Sequence, residues 1–255
     1  MRLEGKVALV TGSSQGIGQG VAIRLAQEGA HIIVNYRSAT DSPQDTETQI
    51  KALGRDSISC QADVTKLDEV QAMVDAGIQK FGKIDILVNN AGVEKHAAFV
   101  DVTEHDYDLV MDVNLKGAFF TAQAVVKTMI ANKIPGRIIN MSSVHEDLPF
   151  PNFTAYCASK GGMKMMMRNL AIELAPYHIT VNNVAPGAIE TPINTKLLND
   201  PVKLNELLGK IPLGRLGQPK DVAGCVVFLA SDDAEYVTCA TLFVDGGLTW
   251  NYHEQ

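Results

Sequence analysis

The sequence predicts an α/β fold: a doubly wound, mainly parallel sheet in a three-layer α/β/α arrangement, folded as a single domain over residues 1–255. Three observations predict it. Short runs such as residues 6–10 (KVALV) and 84–89 (IDILVN) are apolar almost throughout rather than alternating, as strands covered on both faces are. Segments of helical periodicity separate these runs nearly from end to end, the pattern of helices packed on both sides of a parallel sheet. A glycine-rich turn follows the first strand and opens a helix, at the sheet end where such folds bind ligands.

Each element follows in order. Residues 6–10 form the first strand, and Ile17, Val21 and Leu25 recur at four-residue spacing in the helix after it. Residues 31–36 (HIIVNY) and 57–61 are the second and third strands. Thr65 with Asp68 predicts a capping box opening a helix to about residue 80. Residues 84–89 are the fourth strand, and Thr103 with Asp106 caps the next helix, which carries Asn114. Residues 137–141 (RIINM) are the fifth strand, and a long helix starts near Thr154. Residues 180–184 are the sixth strand, a helix follows Gln218, and residues 241–245 (TLFVD) are the last strand. The one long irregular stretch, 188–219, contains four prolines and predicts a lid with some helix around 202–208.

Composition removes several function classes. A chain of 255 residues buries about 70–75% of what its unfolded form exposes, so no disulfide or metal is needed to hold it together. With 22 basic against 29 acidic side chains, net −7, and no basic stripe, nucleic acid is not an expected partner. No apolar run approaches the roughly 18 residues of a membrane helix. Cys60, Cys157, Cys225 and Cys239 form no C-x-x-C pair, so neither zinc nor a redox dithiol is expected. The opening residues, MRLEGKVALV, lack the features of a signal peptide, and the expected compartment is the cytoplasm.

The turn at residues 11–18 (TGSSQGIG) sets Gly12, Gly16 and Gly18 where backbone must approach a pyrophosphate, with Ser14, Gln15 and Ile17 between them. The following helix start offers free N–H donors and a positive dipole end. Its spacing is G-x-x-x-G-x-G rather than G-x-G-x-x-G. The second strand ends in Asn35-Tyr36-Arg37-Ser38, without the carboxylate that binds the ribose hydroxyls of NAD. Arg37 suits the 2′-phosphate of NADP, or is a solvated surface charge, so NADP is accepted and NAD is not excluded. Asp63 stands past the third strand, placed for the adenine amino group or equally to cap the next helix.

Asn89-Asn90-Ala91-Gly92 ends the fourth strand, Ser142-Ser143 ends the fifth, and Tyr156-Cys157-Ala158-Ser159-Lys160 opens the long helix. With Ser143 thirteen positions before Tyr156 and Pro186-Gly187 after the sixth strand, the chain resembles the short-chain dehydrogenase/reductase family over nearly its whole length. The resemblance implies a Rossmann-like fold and a catalytic set of Ser143, Tyr156, Lys160 and Asn114. Ser143 would hold the substrate oxygen. Lys160 would also hold the nicotinamide ribose, and Asn114 a water linking Lys160 to solvent. The implied cofactor contacts add Val64, Asn90, Ala91, Gly92, Pro186, Gly187, Ile189 and Thr191. No metal is implied, because the cofactor carries the hydride.

Tyr156 and Lys160 are i and i+4, so they share a helix face. An ammonium about 4 Å from a phenolate, at an effective dielectric of ~20, stabilises it by roughly 4 kcal/mol. That moves a tyrosine from about 10 toward about 7 as an upper bound, since burial opposes it. Gly161-Gly162 in the same helix predicts close packing against the Asn114 helix or a partner subunit, and the methionines at 163 and 165–167 are core and interface filler.

Within the family, residues 139–146 (INMSSVHE), 159–164 (SKGGMK), 186–189 with 191–194, and 34–38 are similar to bacterial glucose 1-dehydrogenases. This implies oxidation of β-D-glucose at C1 to the lactone, with NADP or NAD, in a homotetramer. Glu94, His145 and Asn194 suit the hydroxyls of a polyol. Lys95-His96-Ala97-Ala98, the stretch 148–153 and the tail from Trp250 depart from that pattern. The alternative is an NADPH-dependent carbonyl or 3-oxoacyl reductase of the same family.

Overall fold

The computed structural model describes residues 1–251. Seven parallel strands are ordered β3-β2-β1-β4-β5-β6-β7. They are β1 Val7–Val10, β2 His31–Tyr36, β3 Ser57–Gln61, β4 Ile86–Asn89, β5 Arg137–Met141, β6 Thr180–Pro186 and β7 Thr241–Val244. The order reverses between β1 and β4, where Leu9 is in register with both Ile33 of β2 and Leu87 of β4. A crevice at the carboxyl end of such a switch point is where ligands bind in doubly wound sheets. This is the Rossmann-like architecture the sequence predicts.

Alternation along the strands splits the core into two layers. Ala8, Val10, Ile32, Val34, Ile86 and Val88 face α1 (Gly16–Gln27) and α9 (Pro219–Ala230). Val7, Leu9, Ile33, Leu87 and Ile138 face α3 (Leu67–Phe81), α5 (Ala118–Ala131) and α6 (Thr154–Leu174). Strands apolar at every position have to be covered in this way.

Three local features differ from expectation. A helix, α2 (Gln44–Ala52), lies where the sequence is mostly polar; it buries only Thr46 and Ile50, four apart, too thin a stripe for periodicity to register. The capping box at Thr65 and Asp68 does not form. Instead Lys66 is the N-cap without a side-chain bond, Thr65 donates to the Asp63 carboxylate at 2.8 Å, and Glu69 accepts from the Asp63 N–H at 2.7 Å. Asp63 also accepts from the Thr65 N–H at 3.0 Å, the donor that the Asp68 carboxylate would take in a capping box. The Thr103 cap does form, accepting from the Asp106 N–H at 3.1 Å. It opens α4 (Glu104–Met111), which runs through one π-helical stretch, Asp112–Gly117, into α5. Those 28 residues are long and apolar enough to cross a membrane, which no sequence run suggested, but 56% of the apolar window is buried in the fold, as in a core helix.

The stretch 188–219 carries a 3₁₀ turn (Pro192–Asn194), α7 (Thr195–Leu198) and α8 (Pro201–Leu208). It is tied back to the sheet by Ile189 pairing with Gly217. Asp200 caps α8 through the Lys203 N–H at 3.2 Å, and α8 buries no residue. Gly162 packs on the π-helical stretch, where an added Cβ would lie 2.8 Å from Leu115. Met163, Met166 and Met167 are core, and Met165 is exposed. Of the divergent tail, residues 252–255 lie outside the described residues.

Candidate active site

The β1–α1 turn is a backbone cradle. Gly12 and Gly16 both have φ +61°, the left-handed region that favours glycine. A Cβ on Gly18 would overlap the Gly12 carbonyl oxygen and the Asn90 amide. The N-cap of α1, Gln15, is extended and makes no side-chain cap bond, so no side chain occupies the helix N-terminus. A dinucleotide pyrophosphate fits such a cradle: uncapped N–H donors, a positive dipole end and no Cβ in the way.

Polar side chains that the motif does not include hold this turn rigid. Asn35 accepts from the Gly12 N–H at 3.0 Å and donates to the Ala62 carbonyl at 3.0 Å. Its own backbone carbonyl accepts from the Ser13 N–H at 2.8 Å. Thr46 of α2 donates to the Ser13 carbonyl at 3.1 Å. From β4, Asn90 donates to the Thr11 and Gly12 carbonyls at 2.9 and 3.0 Å, and Ala91 N–H donates to the Thr11 hydroxyl at 3.0 Å. The signal for Asn35 was available as a polar residue inside an otherwise apolar strand.

The other expected cofactor residues ring this cradle. Arg37 is exposed at the end of β2 and makes no ion pair among the described residues. Asp63 accepts from the Thr65 N–H at 3.0 Å, and Val64 is buried against Gly117. Pro186 ends β6, and Gly187 has no room for a Cβ beside Asp245. Ile189 is buried, and Thr191 lies 3.8 Å from where a Cβ on Gly16 would stand. Ser14 and Ile17 belong to the turn itself.

Beyond the cradle, the ends of β4 and β5 meet the start of α6. Lys160 is buried at 4% exposure, and its ammonium donates to the Met141 carbonyl at 2.8 Å. Its Nζ is 5.6 Å from the Tyr156 ring centroid. A Cβ on Gly92 would lie 3.9 Å from the same Nζ. Ser143 at the end of β5 faces the Tyr156 phenol, whose pKa it lowers, and accepts from the His145 N–H at 3.2 Å.

The expectation that Lys160 moves the phenol toward neutrality is corrected. Burial pushes Tyr156 up to about 12, and the Ser143 hydrogen bond only partly opposes this. Burial likewise pulls Lys160 down to about 8, against the field of Glu146. The expectation is an upper bound that puts no magnitude on burial, and burial outweighs the attraction. Here the ammonium bonds a carbonyl, and both groups leave water.

Asn114 is fully buried in the π-helical stretch, a kind of helix distortion frequent at functional sites. Its amide accepts from the Val93 N–H at 2.8 Å and donates to the Val93 carbonyl at 2.9 Å and the Ser159 hydroxyl at 3.0 Å. The side chain thus ties the Asn90–Gly92 loop to the helix that carries Tyr156 and Lys160.

Of the three candidate polyol ligands, Glu94 is an exposed residue whose carboxyl is raised where neighbouring atoms desolvate it, and its charge acts on the Tyr156 phenol. His145 turns Nδ1 to the Leu148 carbonyl at 3.2 Å, and burial lowers its pKa. Asn194 donates its amide to the Ile189 carbonyl at 2.6 Å. His145 also begins an aromatic stack that sequence reasoning missed. Its ring lies 6.3 Å edge-on from Tyr156 and 4.2 Å face-on from Phe150. Phe150 stacks on Phe153 at 4.1 Å, and His96 meets Phe153 edge-on at 5.1 Å. The stack joins the two loops that depart from the sugar-enzyme pattern, and the Ala97 N–H donates to the Asn152 carbonyl between them at 2.9 Å.

Known proteins are similar to this chain over nearly its whole length. Residues 12–249 match a family model described as enoyl-(acyl carrier protein) reductase. The chain is 44% identical to 3beta-hydroxysteroid dehydrogenase 1 of Eggerthella lenta, over 97% of this chain and 95% of that one. It is 41% identical to glucose 1-dehydrogenase 2 of Bacillus subtilis, over 97% and 96%. A crystal structure of a short-chain type dehydrogenase/reductase from Mycobacterium marinum superposes with a TM-score of 0.92 at 35% identity, covering 97% of each chain. A gluconate 5-dehydrogenase from Burkholderia cenocepacia, solved with NADP and tartrate, superposes with a TM-score of 0.92 at 39% identity, covering 97% and 96%.

Proposed function

The chain belongs to the short-chain dehydrogenase/reductase family of nicotinamide-dependent oxidoreductases, and from that premise we propose that it interconverts a secondary alcohol or sugar hemiacetal and its carbonyl at Tyr156. The observation that carries this reading is half-buried Tyr156 one helical turn from buried Lys160, with Ser143 facing the phenol, beside a glycine cradle fit for a dinucleotide. When bound, the nicotinamide supplies or accepts the hydride, which no side chain here can do. Tyr156 gives its proton to the carbonyl oxygen in reduction, and as phenolate takes the hydroxyl proton in oxidation. Ser143 donates a hydrogen bond to the same oxygen. Lys160 stabilises the phenolate, and Asn114 holds the Val93 backbone and Ser159 in place around it. Arg37, free of ion pairs among the described residues, takes the 2′-phosphate of NADP, which no carboxylate at the end of β2 repels, and NAD is accepted through the cradle without that contact.

The favoured substrate is a polyol, with β-D-glucose and its lactone first, supported by Glu94 beside Tyr156 and by likeness to a glucose 1-dehydrogenase. The stretch 188–219 serves as the lid, with Thr191 over the cradle, and the enzyme works as a homotetramer. A specific observation favours the second reading, an NADPH-dependent carbonyl or 3-oxoacyl reductase. His145 and Asn194 spend polar atoms on the protein's own backbone, and an aromatic stack leads away from Tyr156. An apolar ketone gains more from that wall than a sugar does. Absorbance of reduced nicotinamide separates the two readings. Turnover of β-D-glucose with NADP and NAD is expected. NADPH oxidation by an alicyclic ketone or β-ketoester, with no turnover of any aldose, would replace the polyol reading with the reductase.

A further inference from the structure

The reaction as read above makes no use of Glu146, yet few groups in the protein are so heavily partnered. Its side chain has no exposed surface, although it sits in the 3₁₀ turn Val144–Glu146 just after β5. One carboxylate oxygen accepts from the Ser142 hydroxyl at 2.5 Å and from the Asn183 amide at 3.1 Å. The other accepts from the Thr241 hydroxyl at 2.8 Å and faces the Lys164 ammonium at 3.5 Å. Ser142 and Ser143 directly follow Met141, whose carbonyl holds Lys160. The carboxylate therefore stands behind the strand end that carries both the hydroxyl on the phenol and the acceptor of the lysine.

A line of amides across the sheet ends on the same carboxylate. Asn89 of β4 donates to Asn140 of β5 at 3.0 Å, Asn140 donates to Asn183 of β6 at 3.1 Å, and Asn183 donates to Glu146. All three amide dipoles point one way, positive end toward the carboxylate. A fully buried charge is strongly unfavourable unless such donors meet it, and a protein that needed only packing here would be served by an apolar side chain.

We propose that Glu146 is a positioning residue for the Tyr156–Lys160 pair: it anchors the Met141–Ser143 backbone and sets a fixed negative charge behind it that keeps Lys160 in its ammonium form. The proposal rests on the proton-transfer reading of Tyr156 and Lys160. Burial alone drives Lys160 toward the neutral amine, and the field of Glu146 is what opposes it. The other groups around the pair do not do this. On the same helix stand Tyr156 itself, Cys157, and Lys164, which Asp147 neutralises with both oxygens at 2.6 Å. From the loop after β4, Glu94 acts on Tyr156, as Cys157 does. The π-helical stretch and strands β4 to β6 present neutral amides, Asn114, Asn89, Asn140 and Asn183.

The test is the titration of Lys160 in the full chain by NMR of ¹³Cε-labelled lysine, its resonance assigned by its loss in Lys160→Met. In the unmodified protein the midpoint is expected near 8. In Glu146→Gln it is expected to fall by about one pH unit, a roughly tenfold weaker hold on the proton. The alkaline limb of the kcat profile should move with it, while KM for NADP changes less than about twofold. An unchanged midpoint in a folded Glu146→Gln overturns the proposal. Should that variant lose its native circular dichroism, Glu146→Asp decides instead. Withdrawing the charge by one methylene lowers the midpoint if the proposal holds, and an unmoved midpoint again overturns it. The titration needs no substrate. A shifted midpoint with kcat indifferent to it therefore supports Glu146 acting on Lys160, and contradicts the proton-transfer reading instead.

Discussion

The two walls of the crevice are built from different materials. The cradle wall, β1 with α1, β2 and β4, is held by glycines at positive φ and by neutral amides and hydroxyls: Asn35, Asn90, Thr11 and Thr46. The opposite wall, β5 with α6 and β6, is held by ionisable groups, half-buried Tyr156 and buried Lys160 and Glu146. The difference follows from the work each wall does. Receiving an anionic pyrophosphate needs N–H donors left unpaired and room for close approach, and any buried acid there would repel it. Moving a proton needs groups whose charged forms are costly enough to be shifted by their neighbours, and burial provides that cost.

Substitutions in the two walls should therefore fail in different ways. The largest effect on cofactor binding is expected in the cradle. Gly18→Val drives side-chain atoms into the Gly12 carbonyl and the Asn90 amide, an overpacking of about 3 kcal/mol in a turn that has nowhere to move. NADPH affinity, followed by nucleotide fluorescence, should fall by at least about a hundredfold. Retained affinity would mean that the cradle does not receive the dinucleotide.

In the other wall, removing a functional group should stabilise the fold. Lys160 is held at about 8 against an ordinary value of 10.5. Below pH 8 both folded and unfolded chains carry the proton, and the folded chain bears the whole cost of burying it. As pH rises from 8 to 10.5 the unfolded chain alone stays protonated, so stability rises with pH across that window, by on the order of 3 kcal/mol. Tyr156, raised to about 12 from 10.0, acts oppositely above pH 10, where only the unfolded chain ionises. Lys160→Met removes the first rise. Allowing about 1 kcal/mol for the lost bond to the Met141 carbonyl, it should be about 2 kcal/mol more stable than the parent at pH 7 by urea unfolding. A destabilised variant would show that the burial cost is overstated.

A smaller effect is expected at the rim of the cradle. Arg37→Ser should raise KM for NADP about tenfold, the loss of a charge-assisted contact, and leave KM for NAD within about twofold. Equal changes for both would remove Arg37 from cofactor choice.

The same contrast explains what could be read from the sequence. The cradle was legible because backbone geometry is written as residue type: glycines at 12, 16 and 18 after an apolar run require a turn against a helix. The Tyr156–Lys160 pair and the Thr103 cap were legible because i,i+4 and i,i+3 spacing on a helix places side chains directly. Groups brought together across the sheet were not. Asn89, Asn140 and Asn183 are far apart in sequence and become one line only through strand register. The aromatic stack joins loops after β4 and β5 in the same way. The phenol's direction of shift was misjudged because burial is a property of the whole fold. The capping box at Thr65 failed because a carboxylate two residues back took the Thr65 N–H that Asp68 would have accepted.

The central claim is that Tyr156 carries the proton. The most direct measurement is the pH dependence of turnover in both directions, by reduced-nicotinamide absorbance, for the parent and Tyr156→Phe at saturating cofactor. With a phenol pushed up to about 12 and Lys160 held at about 8, the oxidation rate of the parent should climb with pH as phenolate accumulates until Lys160 loses its proton, and reduction should be favoured near neutrality. Tyr156→Phe should bind NADPH as the parent does and lose about 10²–10⁴-fold in turnover, with no pH dependence left. Turnover within tenfold of the parent, or a pH profile unchanged by the substitution, would contradict the account.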